Sequence, residues 1–566
     1  MQASVEEAAS ASTTTLSLYL MSDAPVSAEK AAQIEQAVNK ITKAKFKTQL
    51  KLTFLTENEY YTVLEENLKK QEENKGKRPT NNLKDDSETT VAETVWNDNL
   101  GTFELSYPTI EDYHVDMFYF DGQSRFEDYV NYGYLSVLDE AISSTSKAIK
   151  SYITPAYLTH MKSVADATYA VPTNKPIGEY TYMLVNKEAL DLTEYSAEYF
   201  SSLTDEDCQD FLKMIANDEE YSSKFVPLYS TTGELDITGI QYWGIDENGN
   251  LSDNFSVIGG VINEDKLYKT DGAYTFAANL LTPGSSFVTQ LKVLKEYEAL
   301  NYYNDEAVKG GKEFAIGYMK GDYALAEQYK DKYEVIVVDV PVLKTGDLFN
   351  DMFGVSAYTS SVSRSMEILT YLNTNEDFRN LILYGIEGED YELVESDVKD
   401  VNGDFYPVVK LPKEEERTYK MSASKTGNVL LAYPTTTEKA DRVEDYKQQN
   451  MDAIVSQAMA FALDYREIKI NMERLHNIRI LSEKIYAELL ACPYDQLDAM
   501  LEEKYRETSS SNVTQYPYAA DVAFHINNNN SNLASDGSVD ENKLASFAYV
   551  YYNWAVDMKI YTPPKD

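Results

Sequence analysis

Few of the side-chain sets that carry enzyme chemistry occur in this chain. It has two cysteines, Cys208 and Cys492, and four histidines at positions 114, 160, 476 and 525, none at metal-ligand spacing. The GxSxG and HExxH motifs are absent, and no phosphate-binding or dinucleotide-binding glycine motif follows a strand. We therefore expect that the protein is not an enzyme. Because it has 93 acidic residues, the sequence does not exclude the pair of catalytic carboxylates that a glycoside hydrolase uses.

Two stretches have the alternating oxygen side chains that Ca²⁺ prefers, at residues 246–250 and 400–404. In the first stretch, position six of a calcium loop is not glycine, and position twelve is Val257 instead of glutamate. Asn-Gly pairs also form tight hairpin turns without a metal. We favour hairpin turns and expect no cofactor, with structural calcium as the alternative.

The aromatic content suits carbohydrate recognition, with 46 Tyr against 20 Phe and 3 Trp. A tyrosine offers a flat apolar ring and a hydroxyl that donates or accepts, which matches the apolar faces and hydroxyl rims of sugars. Most tyrosines must pack in the core or lie on the surface, and Tyr60 and Tyr61 are expected to pack. Trp243 and Tyr358 are the aromatic residues that we select as candidate sugar platforms.

Size and charge narrow the class of protein further. A chain of 566 residues requires two or more packed units, and its net charge of −42 disfavours nucleic acid as a partner. No apolar run is long enough to span a membrane, and the small polar N-terminus lacks the features of a signal peptide. We expect residues 1–14 to be a flexible tether, in either a cytosolic protein or a mature exported one.

Hydrophobic periodicity predicts alternating strands and helices, and hence an α/β fold with parallel sheets. Ligands of such sheets bind beyond the carboxyl ends of strands. The predicted strands Thr15–Met21 and Val115–Phe120 therefore nominate the residues that follow them: Ser22, Asp23, Asp121, Gln123 and Ser124.

Later segments are expected to be a mostly irregular insertion at 70–112, buried crossing strands at 180–186 and 333–342, helices at 286–300 and 311–320, a hairpin at 388–425, and a continuous helical pattern over 447–505.

Several segments, in order, resemble extracellular solute-binding proteins of the maltose-binding type (family 1). They are FYFDGQSRFEDYVNYGYLSVL from Phe118, TYAVPTNKPIGEYTYMLVNKEAL from Thr168 and MKGDYAL from Met319. The run NTNEDFRNLILYGIEGEDYELV from Asn373 is similar to a subfamily of Firmicutes lipoproteins, with Asp390 where that pattern has histidine.

The resemblance implies two α/β lobes joined by a hinge, each with a mixed, mostly parallel sheet flanked by helices. It assigns 15–178 and 340–420 mainly to an N-terminal lobe, 179–339 mainly to a C-terminal lobe, and 421–566 to helices packing on both. Carried over by position, it adds these ligand-binding candidates: Arg125, Asn174, Tyr180, Gln328 and Tyr329.

The same resemblance implies a monomeric, lipid-anchored protein on the outer face of the cytoplasmic membrane, which delivers cargo to an ABC permease. We expect the cargo to be a carbohydrate, and specifically an oligosaccharide. A peptide or another small polar molecule is the first alternative, and glycoside hydrolysis is the second.

Overall fold

The chain forms two compact units. The computed structural model describes residues 13–75, 94–97, 102–155, 157–159, 161, 167–193, 195–230, 241–245, 251–252, 256–257, 260–262, 269–270, 273–274, 280–456 and 472–509. Unit 1 comprises Met1–Pro176 and Gly346–Met451, and unit 2 comprises Ile177–Thr345 and Asp452–Asp566. The chain therefore passes from one unit to the other three times.

The strands follow in chain order. They are β1 (Thr14–Ser22), β2 (Thr48–Thr56), β3 (Thr94–Asn97), β4 (Thr102–Leu105), β5 (Met117–Phe120), β6 (Ala170–Pro172), β7 (Tyr180–Asn186), β8 (Phe225–Ser230), β9 (Gln241–Ile245), β10 (Leu251–Ser252), β11 (Gly260–Ile262), β12 (Lys269–Thr270), β13 (Ala273–Tyr274), β14 (Glu313–Gly321), β15 (Tyr333–Asp339), β16 (Val342–Leu343), β17 (Met352–Val355), β18 (Glu392–Lys399), β19 (Phe405–Lys410) and β20 (Ile454–Val455).

The α-helices are interleaved with these strands. They are α1 (Ala28–Phe46), α2 (Glu57–Lys75), α3 (Gln123–Tyr132), α4 (Asp139–Ser143), α5 (Lys187–Thr193), α6 (Glu206–Asn217), α7 (Glu219–Lys224), α8 (Ser286–Ala299), α9 (Asp305–Lys309), α10 (Tyr323–Tyr329), α11 (Thr345–Phe349), α12 (Val362–Thr374), α13 (Glu376–Tyr384), α14 (Arg442–Asp452), α15 (Met472–Ala491) and α16 (Tyr494–Ser509).

Unit 1 is built on a five-stranded sheet in the order β2-β1-β5-β17-β6. Strand β1 runs parallel to β2 and β5, whereas β17 runs antiparallel to β5 and β6. Strand β5 is buried along its whole length, and so is β1 after its first residue. The apolar runs that predicted β1, β2 and β5 thus form the centre and one edge of this sheet.

Helix α1 shows how local sequence and packing agree. The Ser27 side chain accepts a hydrogen bond from the Lys30 amide and caps the helix, as predicted. Farther along, the Asn39 amide donates to the Leu50 carbonyl (2.8 Å) and accepts from the Leu50 amide (2.6 Å). Because β2 is an edge strand, this side chain pairs backbone groups that no neighbouring strand can reach.

Unit 2 contains a four-stranded sheet in the order β15-β7-β14-β8. The helix expected at 311–320 is wrong, because residues 313–321 form β14, which pairs with β7 and β8. Six consecutive residues of β14 are buried. A strand buried on both faces loses the alternation that distinguishes it from a helix, which explains the error.

Both sheets are mixed, as predicted, but parallel pairs are not the majority. In unit 2, β14 is parallel to β8, whereas β7 is antiparallel to β14 and β15. The parallel crossovers expected from alternating strands and helices therefore account for part of each sheet only. The other strands enter their sheets in the opposite direction.

Two later segments differ in how well the sequence predicted them. The hairpin expected within 388–425 is confirmed by the antiparallel pairing of β18 with β19. The helical pattern expected over 447–505 is confirmed by α14, α15 and α16, but its continuity is wrong. Residues Ile454–Val455 pair with β16, and α15 ends before Pro493, which cannot continue a helix. The segment 70–112, which we expected to be mostly irregular, contains the end of α2 and the antiparallel strands β3 and β4.

Both cysteines are free and buried. Cys208 lies in the apolar core of unit 2 beside Phe211 and Leu212, and burial raises the pKa of its thiol above the usual value. A buried thiol with a raised pKa is held in its unreactive protonated form.

Among the described helices, none combines the length and apolar character that crossing a membrane requires.

We predict that Asn39→Ala lowers the free energy of unfolding by about 2–4 kcal/mol, because it leaves the buried N–H and C=O of Leu50 without partners. Urea unfolding followed by circular dichroism measures this change. The exposed neighbour Lys40 provides the control, since Lys40→Ala removes no buried contact. Equal stabilities for the two variants would show that the side-chain pairing is dispensable.

Candidate functional site

Strand direction brings several chain segments to one edge of the sheet in unit 1. In the register of β1 with β5, Leu18 lies level with Met117, so Ser22 at the end of β1 and Asp121 just after β5 both lie at the carboxyl ends. Strand β17 runs the other way and starts at this edge, where Met352 pairs with both Phe120 and Pro172. Residues that follow β1, β5 and β6, or precede β17, therefore share this edge.

The carboxylate of Asp121 is the first centre of hydrogen bonding at this edge. It accepts from the Tyr61 hydroxyl at 2.7 Å and from the Arg125 guanidinium at 2.9 Å. The guanidinium also lies over the Tyr61 ring, 3.5 Å from its centroid. Gly122, with a φ of 89°, makes the sharp turn that lets α3 begin here and Arg125 fold back.

The carboxylate of Asp351 is the second centre. It accepts from the Tyr119 hydroxyl at 2.6 Å and from the Lys175 ammonium at 2.8 Å. The Tyr119 hydroxyl also lies 3.4 Å from Asp121, so it joins the two centres. Asp351 has a φ of 69°, a left-handed conformation that few residues other than glycine adopt, and these bonds hold it there.

The tyrosine hydroxyls of this edge are fixed as donors. Burial raises the pKa of Tyr61 above its usual value, and the bonded Asp121 raises it further. Burial followed by the charge of Asp351 does the same for the pKa of Tyr119. Both phenols remain protonated at neutral pH, and each aims its proton at a carboxylate.

Ser22 is the last residue of β1, and Asp23 follows it at the same edge. Ser22 is buried, and its hydroxyl has no hydrogen-bond partner among the residues that the structure describes. Both carboxylate oxygens of Asp23 accept from the Ser422 hydroxyl, at 2.9 and 2.8 Å, and Lys425 lies 3.9 Å away. Asp23 is thus tied to a segment that lies about 400 positions later in the sequence.

Gln123 and Ser124 open helix α3 and line a groove of about 770 Å³ between α2 and α3. The Gln123 amide donates to Glu127 at 2.9 Å. Tyr129, Tyr132 and Tyr134 continue the lining along the helix, which ends at Gly133 in a left-handed cap. Together with Asp121 and Arg125, four of the candidates named from the sequence therefore share one region of unit 1.

Asn174 is buried and lies two residues after β6. Its side chain accepts from the Thr154 hydroxyl at 3.1 Å and donates to Asn428 at 3.3 Å. It lines a separate cavity of about 920 Å³ within unit 1.

Four candidates lie in unit 2, of which Tyr180, Gln328 and Tyr329 have described side chains. The Tyr180 hydroxyl donates to Asp452 at 2.7 Å and lies 3.3 Å from the Tyr323 hydroxyl. Tyr329 packs its ring against Phe314 and Tyr333, with centroids 6.0 and 5.5 Å apart, so it contributes to an apolar cluster. Gln328 is exposed on α10.

The two aromatic platforms selected from composition have different outcomes. Tyr358 is only 2% exposed and packs in the interior of unit 1, so its ring offers no open face for stacking. Trp243 lies in β9, where its backbone pairs with Gly260, and its side chain lies outside the described part of the chain.

Sequence reasoning missed four residues of the strand edge: Tyr61, Tyr119, Lys175 and Asp351. Tyr61 had been assigned to packing because it lies on a helix. The signal that points to Tyr61 is its position in the first turns of α2, as the fifth residue of that helix. Helix α2 begins directly after the carboxyl end of β2. Lys175 and Asp351 are 176 positions apart, and no local pattern links them.

The Asn-Gly stretch at 400–404 forms the hairpin turn between β18 and β19. The Asp400 carboxylate accepts from the amides of Asn402 and Asp404, each at 2.9 Å, so backbone donors occupy this oxygen. The stretch at 246–250 lies outside the described residues, and so does the prediction made for it. Across the part of the chain that the structure describes, no cluster of three His, Cys, Asp or Glu side chains is placed to hold a metal.

This chain is similar to a curated protein over part of its length and to solved structures over most of it. No family model matches the chain. A segment of 125 residues is 28% identical to a carbohydrate ABC transporter substrate-binding protein of Streptococcus pneumoniae, covering 22% of this chain and 24% of that relative. The match therefore spans about a quarter of the relative's length.

The structure superposes on the crystal structure of the N-glycan transport solute binding protein NgtS from Streptococcus pneumoniae. The TM-score is 0.54 at 16% sequence identity, and the superposition covers 87% of this chain and 94% of that one. The fold is that of a solute-binding protein. The fold class implied by the sequence resemblance is confirmed.

We predict that Asp121→Ala lowers the free energy of unfolding by about 1–2 kcal/mol, since Tyr61 and Arg125 lose a charged acceptor at a partly exposed position. Thermal unfolding measures the change. Asp128→Ala, an exposed carboxylate on the helix α3 that follows Asp121, is the matched control. If the two variants melt together, the Asp121 contacts do not organise the edge.

Proposed function

We propose that this chain is an extracellular solute-binding protein that captures a carbohydrate, an oligosaccharide by preference, and delivers it to an ABC permease. The observation that carries the proposal is the superposition on NgtS along almost the whole of that protein, whose description names N-glycan transport. The shorter match to a carbohydrate substrate-binding protein points the same way.

The chemistry of the strand edge supports a polyhydroxylated ligand. Sugar hydroxyls both donate and accept hydrogen bonds, and this edge presents carboxylate acceptors at Asp23 and Asp121 beside the Arg125 donor. The neighbouring groove adds the rings of Tyr132 and Tyr134, whose faces suit the apolar side of a sugar.

The proposal includes a non-catalytic role, attachment to the outer face of the cytoplasmic membrane through a lipid anchor, and a monomeric state. The resemblance to lipoproteins supports the anchor. Metabolic labelling of the protein with a lipid precursor in its native cell tests the anchor, and light scattering of the purified chain tests the monomer.

Titration calorimetry against a panel of neutral oligosaccharides, including N-glycan fragments, tests the carbohydrate proposal. We expect saturable binding of at least one oligosaccharide and its recovery intact after prolonged incubation. Binding of peptides with silence across the glycan panel would replace carbohydrate by peptide cargo. Recovery of shortened glycans would instead support a hydrolase.

For an oligosaccharide that binds, we predict that Asp23→Ala weakens affinity about 5- to 150-fold, the effect of losing an interaction worth about 1–3 kcal/mol. The reason is that Asp23 presents two acceptor oxygens at the edge where the ligand is proposed to bind. Glu140→Ala, which changes the charge equally at an exposed position of α4 that lines neither the groove nor the cavity, should bind as the parent does. Equal affinities for both variants would remove Asp23 from the site.

A further inference from the structure

The cavity of about 920 Å³ in unit 1 is distinct from the hydrogen-bonded strand edge. Its walls come from the segment 150–155, strand β19, the segment 428–434 and helix α14. Of its lining residues, only Asn174 was a candidate from the sequence. Its volume lies in the range of about 300–1,000 Å³ that ligand sites occupy.

Buried side chains hold one wall of this cavity in place. Arg379 donates to the carbonyl of Asn428 at 3.1 Å, and the Asn380 amide donates to the carbonyl of Leu431 at 2.9 Å. The Tyr384 hydroxyl donates to the carbonyl of Tyr433 at 2.6 Å. The wall is therefore shaped before any ligand arrives, which lowers the entropic cost of binding.

The cavity lining combines aromatic rings with polar side chains. Tyr152 is 41% exposed, and Tyr406 and Tyr433 are half-buried. Rings of this kind can cover the apolar face of a sugar while amide and hydroxyl groups bond its rim.

The charge of the lining is balanced. It contains the cations Lys150 and Lys447 and the anions Glu376 and Glu444, in a chain whose net charge is −42. Lys447 and Glu444 pair with each other at 2.9 Å. A lining without net charge favours a neutral ligand over an acidic or a basic one.

Two adjacent residues connect the cavity with the strand edge. Asn174 lines the cavity, and Lys175 binds Asp351 at the edge. The Asn450 amide, from a residue that also lines the cavity, donates to the carbonyl of Lys175 at 3.1 Å. The strand edge and the cavity are therefore linked through consecutive residues of one segment.

We propose that this cavity is an extension subsite that binds neutral sugar units at one end of the carbohydrate and so makes affinity depend on its length. This inference rests on the proposed function. A disaccharide would occupy the strand edge, whereas a longer chain would occupy the strand edge and the cavity together.

Calorimetry on the full chain with a series of neutral linear oligosaccharides, from disaccharide to hexasaccharide, tests the inference. For the parent protein, we expect affinity to rise with length. Tyr152→Ala and Tyr406→Ala should weaken hexasaccharide binding about 10-fold or more, and leave disaccharide binding within about 2-fold. Tyr199→Ala, which removes a 55% exposed ring in unit 2, is the control and should match the parent.

Tyr406→Phe keeps the aromatic ring and should retain most of the hexasaccharide affinity. This result would show that the weaker binding of Tyr406→Ala comes from loss of the ring and not from misfolding. Uronic-acid oligosaccharides of equal length should bind at least about 10-fold more weakly than neutral ones. If the parent binds oligosaccharides but both alanine variants show its full length dependence, the subsite is refuted and the proposed function stands. If the parent binds no oligosaccharide, both are refuted.

Discussion

The direction of four strands in unit 1 is the constraint on which the candidate site depends. Strands β1, β5 and β6 end at the same edge of the sheet, and β17, antiparallel to β5 and β6, begins there. Carboxylates from distant parts of the sequence, Asp121 and Asp351, consequently lie within reach of the single hydroxyl of Tyr119. If β17 ran in the opposite direction, its apolar residues could still pack in the sheet, but Asp351 would lie at the other edge, away from Tyr119 and Asp121.

The polar groups of this edge largely satisfy one another. Tyr61, Arg125 and Lys175 donate to the two carboxylates, so charges remain paired at a partly buried edge. A ligand that only donates or only accepts would have to break these pairs. A sugar hydroxyl accepts one hydrogen bond while donating another, so it can join such a network without leaving a partner unsatisfied.

Much of unit 1 could be predicted from sequence because its strands are apolar runs bounded by caps and turns, such as Ser27 before α1. The strand-end rule found Asp121 and Ser22 for the same reason. The rule cannot supply the partners of these residues: Asp351 and Ser422 arrive through tertiary pairing. In unit 2, burial on both faces hid β14 from a periodicity argument. Tyr358 is buried and Tyr329 is partly buried against an apolar cluster, so abundant tyrosines serve packing as well as any ligand.

Because both native thiols are buried, the chain suits site-specific labelling with a fluorescent dye. Neither Cys208 nor Cys492 offers an accessible sulfur to a maleimide reagent. A cysteine introduced at an exposed position, such as that of Lys447 on the cavity rim, would therefore accept a single dye without removal of native residues. A dye at such a position would report ligand binding without interference from a second label.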